Sequence, residues 1–162
     1  MAIKHLPKEV LQQFCTFRIE GQLYGIDIKY IKEINTETKI TSVPHSPEYI
    51  SGLVNIRGEI YLVFNLRKCL GFPAIPIDEN HRIILFKSID TEPAGVFVDQ
   101  IADVLTVPKN RLEPYHSESR IESVKIFGPL ETSDVDTKLI QGVYQLDEEV
   151  MIILNVHGLI GT

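Results

Sequence analysis

The chain has 162 residues, 44% of them apolar, with two cysteines and a formal charge of −6. That length and apolar share support a buried core in one domain or in two small, closely packed ones, and exclude a disordered chain. The net acidity disfavours nucleic-acid binding, which needs a concentrated basic face, and no apolar run approaches the ~20 residues that span a bilayer.

Cys15 and Cys69 have no CxxC spacing, and no signal peptide is visible at the N-terminus. The combination points to reduced thiols in a cytosol. Charge is uneven along the chain: residues 1–75 hold nine Lys/Arg against seven Asp/Glu, whereas residues 76–162 hold seven against fifteen. Either the halves face different partners, or two solvated surfaces simply differ.

In chain order, residues 1–13 form an N-terminal arm of mixed charge with little fold content. Strand patterns begin at Phe14: Phe14 to Glu20 and Gln22 to Ile34 flank Glu20-Gly21, and Gly25 marks a bulge or a close backbone approach. The connection from Asn35 to Tyr49 carries Pro44 and Pro47, which set a turn before a strand at Ile50 to Ile56. A two-residue turn at Arg57-Gly58 then leads into Ile60, Leu62, Phe64 and Leu66, whose period of two predicts one buried face. Asn65 is placed to cap a short helical turn, and Gly71 to close it in the left-handed conformation.

After the crossing at Gly71 to Asn80 the plan recurs. Arg82 to Ile89 and Ala94 to Leu105 repeat the first hairpin, with Gly95 falling on Gly25. Gln141 to Gly161 repeats Ser51 to Gly71, superimposing Gly142 on Gly52, Asn155 on Asn65 and Gly161 on Gly71. Val150, Ile152, Leu154 and Val156 take the strand positions, and Asp147-Glu148 the turn. The second copy is longer by about twenty residues near Glu113 to Lys138, a polar stretch expected to be a long surface loop. Each copy supplies about five short strands and a terminal helical turn. The predicted fold is therefore all-β, with two five-stranded barrels packed together and short helical turns after Asn65 and Asn155. The first barrel spans roughly 14–75 and the second roughly 76–162.

Catalytic signatures are missing: there is no GxxxxGK[ST], GxSxG, HExxH or dinucleotide fingerprint. His5, His45, His81, His116 and His157 are scattered, and no metal site or cofactor is expected from them. Cys69 fits a small buried hydrophobe better than a nucleophile. Asp147, Glu148 and Glu149 form the densest carboxylate run, which fits a solvated turn better than a glycosidase pair. An interaction module is what remains.

The residues GLVNIRGEIYLVFNLRKCLG resemble the GLxNLRGxxxPVxDLRxxLG signature of CheW-like domains, adaptors that couple chemoreceptors to the histidine kinase CheA in bacterial chemotaxis. YGIDIKYIKEI, AGVFVDQIADVL and QGVYQLDEEVMIILNVHGLI resemble the other landmarks of that family, in its order, so the likeness covers Phe14 to Gly161. Leu62 stands at the signature's usual Pro and Asn65 at its usual Asp. The resemblance implies two intertwined SH3-like barrels without catalysis or cofactor, in the cytoplasm, recruited to receptor arrays at the inner membrane face without insertion into the bilayer. One barrel would bind the regulatory domain of a CheA-type kinase, and a groove between the barrels would receive the cytoplasmic tip of a chemoreceptor.

Carried over by position, Ile31, Glu33, Ile34 and Gly52 fall on the kinase-facing region. Val54, Asn55 and Arg57 fall on the receptor-proximal motif, with Val98 on the facing strand. Ile31, Ile34 and Val98 have a competing reading as core. The resemblance also suggests an ion pair between Glu33 and Arg57, expected as a partly buried bidentate contact linking the two binding surfaces. The second copy has Asp103 and Asp147 at those positions and cannot form it. Other readings are the CheW-like part of a CheV-type protein or of a kinase regulatory domain, an SH3-like peptide-binding module and, more distantly, a small hydrolase.

Overall fold

The computed structural model describes residues 10–87, 92–114 and 139–160. Strands β1 (Leu11–Ile19) and β2 (Gln22–Asp27) meet at Glu20-Gly21, both with positive φ (50° and 79°). This is the mirror-image turn whose twist matches paired strands. β1 starts three residues before Phe14, where the sequence placed the first strand, because Leu11 to Gln13 pair with Thr106 to Pro108. The Asp27 carboxylate then accepts the Lys29 N–H at 3.0 Å and caps a 3-10 turn, Ile28–Tyr30, that turns the chain into β3 (Ile31–Asn35).

Strands β4 (Ile50–Ile56) and β5 (Glu59–Asn65) meet at Arg57-Gly58, again with positive φ at both residues (52° and 86°). Asn65 accepts the Lys68 N–H and starts the helical turn α1 (Leu66–Cys69); Gly71, at φ 85°, follows it. The second copy gives β6 (Arg82–Phe86), β7 (Ala94–Val98), β8 (Ile101–Pro108), β9 (Leu112–Pro114), β10 (Ile140–Gln145), β11 (Val150–Leu154) and α2 (Val156–Ile160). Asn155 accepts the His157 N–H at 3.1 Å. The backbone amides of Asn65 and Asn155 donate to the matching carbonyls of Tyr49 and Leu139, each at 2.7 Å. The β10–β11 connection is a four-residue loop rather than the expected two-residue turn at Asp147-Glu148, and the Leu146 N–H closes it on the Glu149 carbonyl. The expected long loop from Glu113 onward lies outside the described residues beyond Pro114, as does Gly161.

The strands form two sheets, with orders β3-β6-β7-β5-β4 and β8-β1-β2-β11-β10-β9. The sheets do not divide the chain near residue 75. Each half lends its first hairpin to the other's sheet: β1–β2 sits beside β11, and β6–β7 lies between β3 and β5. Each lent hairpin is joined on both sides, by the parallel pairs β2–β11 (Tyr24 opposite Ile152) and β5–β7 (Phe64 opposite Val96) and by the antiparallel pairs β1–β8 and β3–β6. The second sheet has six strands instead of five because β9 pairs along β10. Its counterpart in the first half is a single bridge from Thr41 to Leu53.

Three apolar clusters follow from this layout. One lies inside the five-stranded sheet (Val54, Tyr61, Val63, Leu85, Phe97) and one inside the six-stranded sheet (Phe14, Tyr144, Met151, Ile153). The largest lies between the sheets and takes Phe64, Leu66, Val96 and Val98 from one side, and Phe17, Tyr24, Ile152 and Leu154 from the other. β5 and β11 therefore bury both faces, not one. Of the expected set, Phe64, Leu66, Ile152, Leu154 and Val156 fill the central cluster and Leu62 and Val150 pack against it, but Ile60, near the hairpin tip, is 57% exposed; Tyr61, Val63, Met151 and Ile153 fill the barrel interiors. Gly25 faces a close approach: a Cβ there would sit 2.9 Å from the Met151 sulfur.

Candidate functional site: the β3 edge and the β4–β5 hairpin tip

β3 and β4 are opposite edges of the five-stranded sheet, yet the sheet curls so that side chains of β3 meet the β4–β5 hairpin tip and the start of β5. Arg57 at the hairpin tip donates from Nη2 to Glu33 Oε2 on β3. One residue earlier, Lys32 Nζ reaches Glu59 at 3.1 Å and the Tyr61 hydroxyl at 2.9 Å, and that hydroxyl donates to Glu59 at 2.8 Å. Beneath the tip, the Asn55 side chain accepts the Gly58 N–H at 2.9 Å and holds the turn. These contacts close the barrel without backbone pairing between β3 and β4.

The Arg57–Glu33 contact uses one nitrogen and one oxygen, and the Arg57 side chain is 68% exposed against 27% for Glu33. It is neither bidentate nor half-buried on the arginine side, because a residue at a positive-φ hairpin tip projects into solvent. The hydrogen bond from Arg57 still holds the Glu33 carboxyl below its ordinary range, and the same bond raises Arg57. Bonds from Tyr61 and then Lys32 lower Glu59 in the same way. A fork-to-fork pair does exist in the six-stranded sheet, and it joins the two halves of the chain: Arg18 of β1 grips Glu149 of the β10–β11 loop at 2.8 and 2.9 Å. Asp103 and Asp147, at the positions matching Glu33 and Arg57, have no salt-bridge partner among the described residues.

The sequence-derived site residues divide by burial. Glu33, Ile34 (42% exposed), Asn55 and Arg57 present side chains to solvent. Ile31 is half-buried against the central cluster. Gly52 is buried at φ 143°, where a Cβ would collide with the Thr41 carbonyl. Val54 (2%) and Val98 (0%) are core residues without a surface for a partner. Val98 is lost to the surface because every residue of β7 is buried between a barrel interior and the central cluster.

Lys32, Glu59 and Tyr61 complete the network, and sequence reasoning passed over them. The signal was present in the alternation of Glu59 and Tyr61 on one face of β5 and in Lys32 beside Glu33. Arg67 was also missed, because in the turn Leu66 to Leu70 it stands beside a second cation, Lys68, and only Arg67 of the two is buried. It is 8% exposed, donates from Nε to Asp99 at 2.8 Å, and from Nη1 to Glu20 at 2.7 Å and the Pro73 carbonyl at 3.3 Å. Arg67, Asp99 and buried His81 floor an open cleft of about 370 Å³ walled by Ile40, Ile50 and Phe97. His81 stacks on Phe97 at 5.0 Å and its Nδ1 takes the Asp78 N–H at 2.9 Å. The charges there are matched to one another. Burial pushes the Cys15 and Cys69 thiols up to about 11 and about 12, so neither is a thiolate at neutral pH.

Among the described residues no helix is long and apolar enough to cross a membrane, and no three His, Cys, Asp or Glu side chains are grouped to hold a metal ion. Comparison with known proteins gives one consistent result. The family model for the CheW-like domain matches residues 13–162. The chain is 26% identical over 149 residues to a probable chemotaxis protein CheW of Rhizobium etli, covering 91% of this chain and 86% of that protein. It is 34% identical over 109 residues to the chemotaxis protein CheW of Thermotoga maritima, covering 65% of this chain and 70% of that protein. The crystal structure of the scaffolding protein TtCheW from Thermoanaerobacter tengcongensis superimposes with a TM-score of 0.76 at 27% identity, covering 94% of both chains.

Proposed function

The chain belongs to the CheW-like domain family, and from that premise we propose that it is a non-catalytic adaptor joining chemoreceptors to a CheA-type histidine kinase. The observation that carries this reading is the family match across nearly the whole chain, together with likeness to a solved scaffolding protein over 94% of both chains. The buried thiols and the internally matched charges of the cleft agree with a binding role.

On this reading the β3 edge is the kinase-facing surface. Ile34 and Glu33 supply its accessible side chains, while Ile31 and Gly52 set its shape. Asn55 and Arg57 supply the receptor-facing side, with Val54 and Val98 acting from the core behind it. The Arg57–Glu33 contact joins the two surfaces through a single side-chain bridge. The protein itself works in the cytoplasm, and its partners hold it at the inner face of the membrane.

The test is reconstitution of receptor-containing membranes with a CheA-type kinase, with and without this protein. Kinase activation that depends on the added chain supports the proposal. Failure to bind either the kinase regulatory domain or the receptor tip overturns it.

A further inference from the structure

The chain passes between the sheets at two crossovers that the internal repeat makes equivalent, and they are fastened differently. At one, the turn after β7 holds Asp99, and α1 places Arg67 against it. Arg67 also reaches Glu20 at the tip of β1–β2, a hairpin of the other sheet. One buried guanidinium thus ties the six-stranded sheet, through Glu20, to the helical turn that follows β5 of the five-stranded sheet. Planar, forked donors suit such a three-way contact, and a point charge would not reproduce it.

At the other crossover the repeat puts Lys29 where Asp99 stands and His157 where Arg67 stands. Two basic residues replace an ion pair. His157 is exposed and meets the Tyr30 ring edge-on at 5.5 Å, and Lys29 lies over the same ring at 5.0 Å. The position matching Glu20 lies outside the described residues.

We propose that Arg67 is a positioning residue that fixes the two barrels at the β7–β8 crossover, so that relative motion between them is taken up at the opposite crossover, Tyr30 with His157. Resting on the adaptor reading, this makes Arg67 a determinant of receptor binding without contact to the receptor. A groove between the barrels depends on their relative placement, whereas the β3 edge belongs to one sheet and does not.

Hydrogen exchange on the whole protein and binding titrations test it together. Arg67→Met is expected to lower protection at least tenfold at the β1–β2 tip and the β7–β8 turn, leaving Val63 and Leu85 inside the five-stranded barrel protected. Glu20→Gln, which keeps the Asp99 contact, is the variant to use if Arg67→Met fails to fold, and should do the same at the tip alone. His157→Phe should change neither region. Affinity for a chemoreceptor tip fragment is expected to fall at least fivefold in Glu20→Gln while affinity for a CheA-type regulatory domain holds within twofold. Uniform loss of protection, no loss, or equal loss of both affinities overturns the proposal. If the unaltered protein binds neither fragment, the adaptor reading fails, and the exchange pattern still decides the role of Arg67.

Discussion

Arg57 is held at one point and exposed over most of its length, so its truncation removes a charge without opening the core. Arg57→Ala is expected to leave the circular dichroism spectrum and the unfolding midpoint close to those of the unaltered protein, and to reduce kinase activation in a reconstituted receptor array. Full activation would show that the tip arginine is not needed for coupling. Tyr24 is the opposite case. Among the described residues its hydroxyl is buried without a hydrogen-bond partner, and burial pushes the phenol up to about 12. An unsatisfied buried hydroxyl costs ~1–3 kcal/mol, so Tyr24→Phe should be neutral or stabilising by about 1 kcal/mol in urea unfolding; a loss of stability would mean that the hydroxyl has a partner. The sequence made Arg57 legible, because the two copies differ at their turns. Arg67 was not, because its three acceptors, Asp99, Glu20 and the Pro73 carbonyl, are brought together only by the exchange of hairpins.

At the scale of elements, the first-half turns and both asparagine caps were readable, whereas the β10–β11 loop and the packing were not. Gly21 and Gly58 mark the mirror-image turns that Glu20 and Arg57 enter at positive φ, and Asn65 and Asn155 cap as their positions suggest. The period of two suggested one buried face, because alternation cannot reveal a second layer that covers the opposite face of β5 or β11. Gly52 shows what the curl of β4 demands: its φ of 143° and the Thr41 carbonyl at its side leave no place for a side chain. Gly52→Ala is expected to cost about 3 kcal/mol or more, seen as a large fall in the thermal midpoint, and a change below about 1 kcal/mol would refute the close approach. Ionic closure of the barrels also predicts an acid limit. Glu33, Glu59 and Glu149 all have folded-state pKa values below the ordinary 4.5. Their stabilising contribution is fully present above that value and is lost as pH falls through the lowered values. The urea midpoint should therefore be flat from neutral pH to about 5 and decline below 4.5, a decline reduced in Glu149→Gln.

For the whole molecule, the internal repeat was visible in sequence, but the way its halves combine was not. Residues 1–75 contain five strands, enough by count for a barrel, yet β3 and β5 do not pair with each other. β6 and β7 stand between them. That fragment is expected to lack stable structure by itself and to recover native-like dispersion in amide NMR when mixed with residues 76–162. A well-dispersed spectrum from residues 1–75 alone would mean that the hairpin exchange is dispensable. Within this arrangement the two halves differ in backbone, by β9 and the longer β10–β11 loop, as well as in the charges at their turns.

The parallel seam between β2 and β11 also governs how the molecule is made. Tyr24 of β2 is matched with Ile152 of β11, far along the chain. The β1–β2 hairpin must therefore wait, with one edge unsatisfied, until β11 has been synthesised. Contacts of such long sequence separation close slowly, and a waiting strand edge invites pairing with neighbouring chains. Nascent chains halted before residue 150 should be aggregation-prone, and completion of β11, not of either half, is the step that commits the protein to its fold.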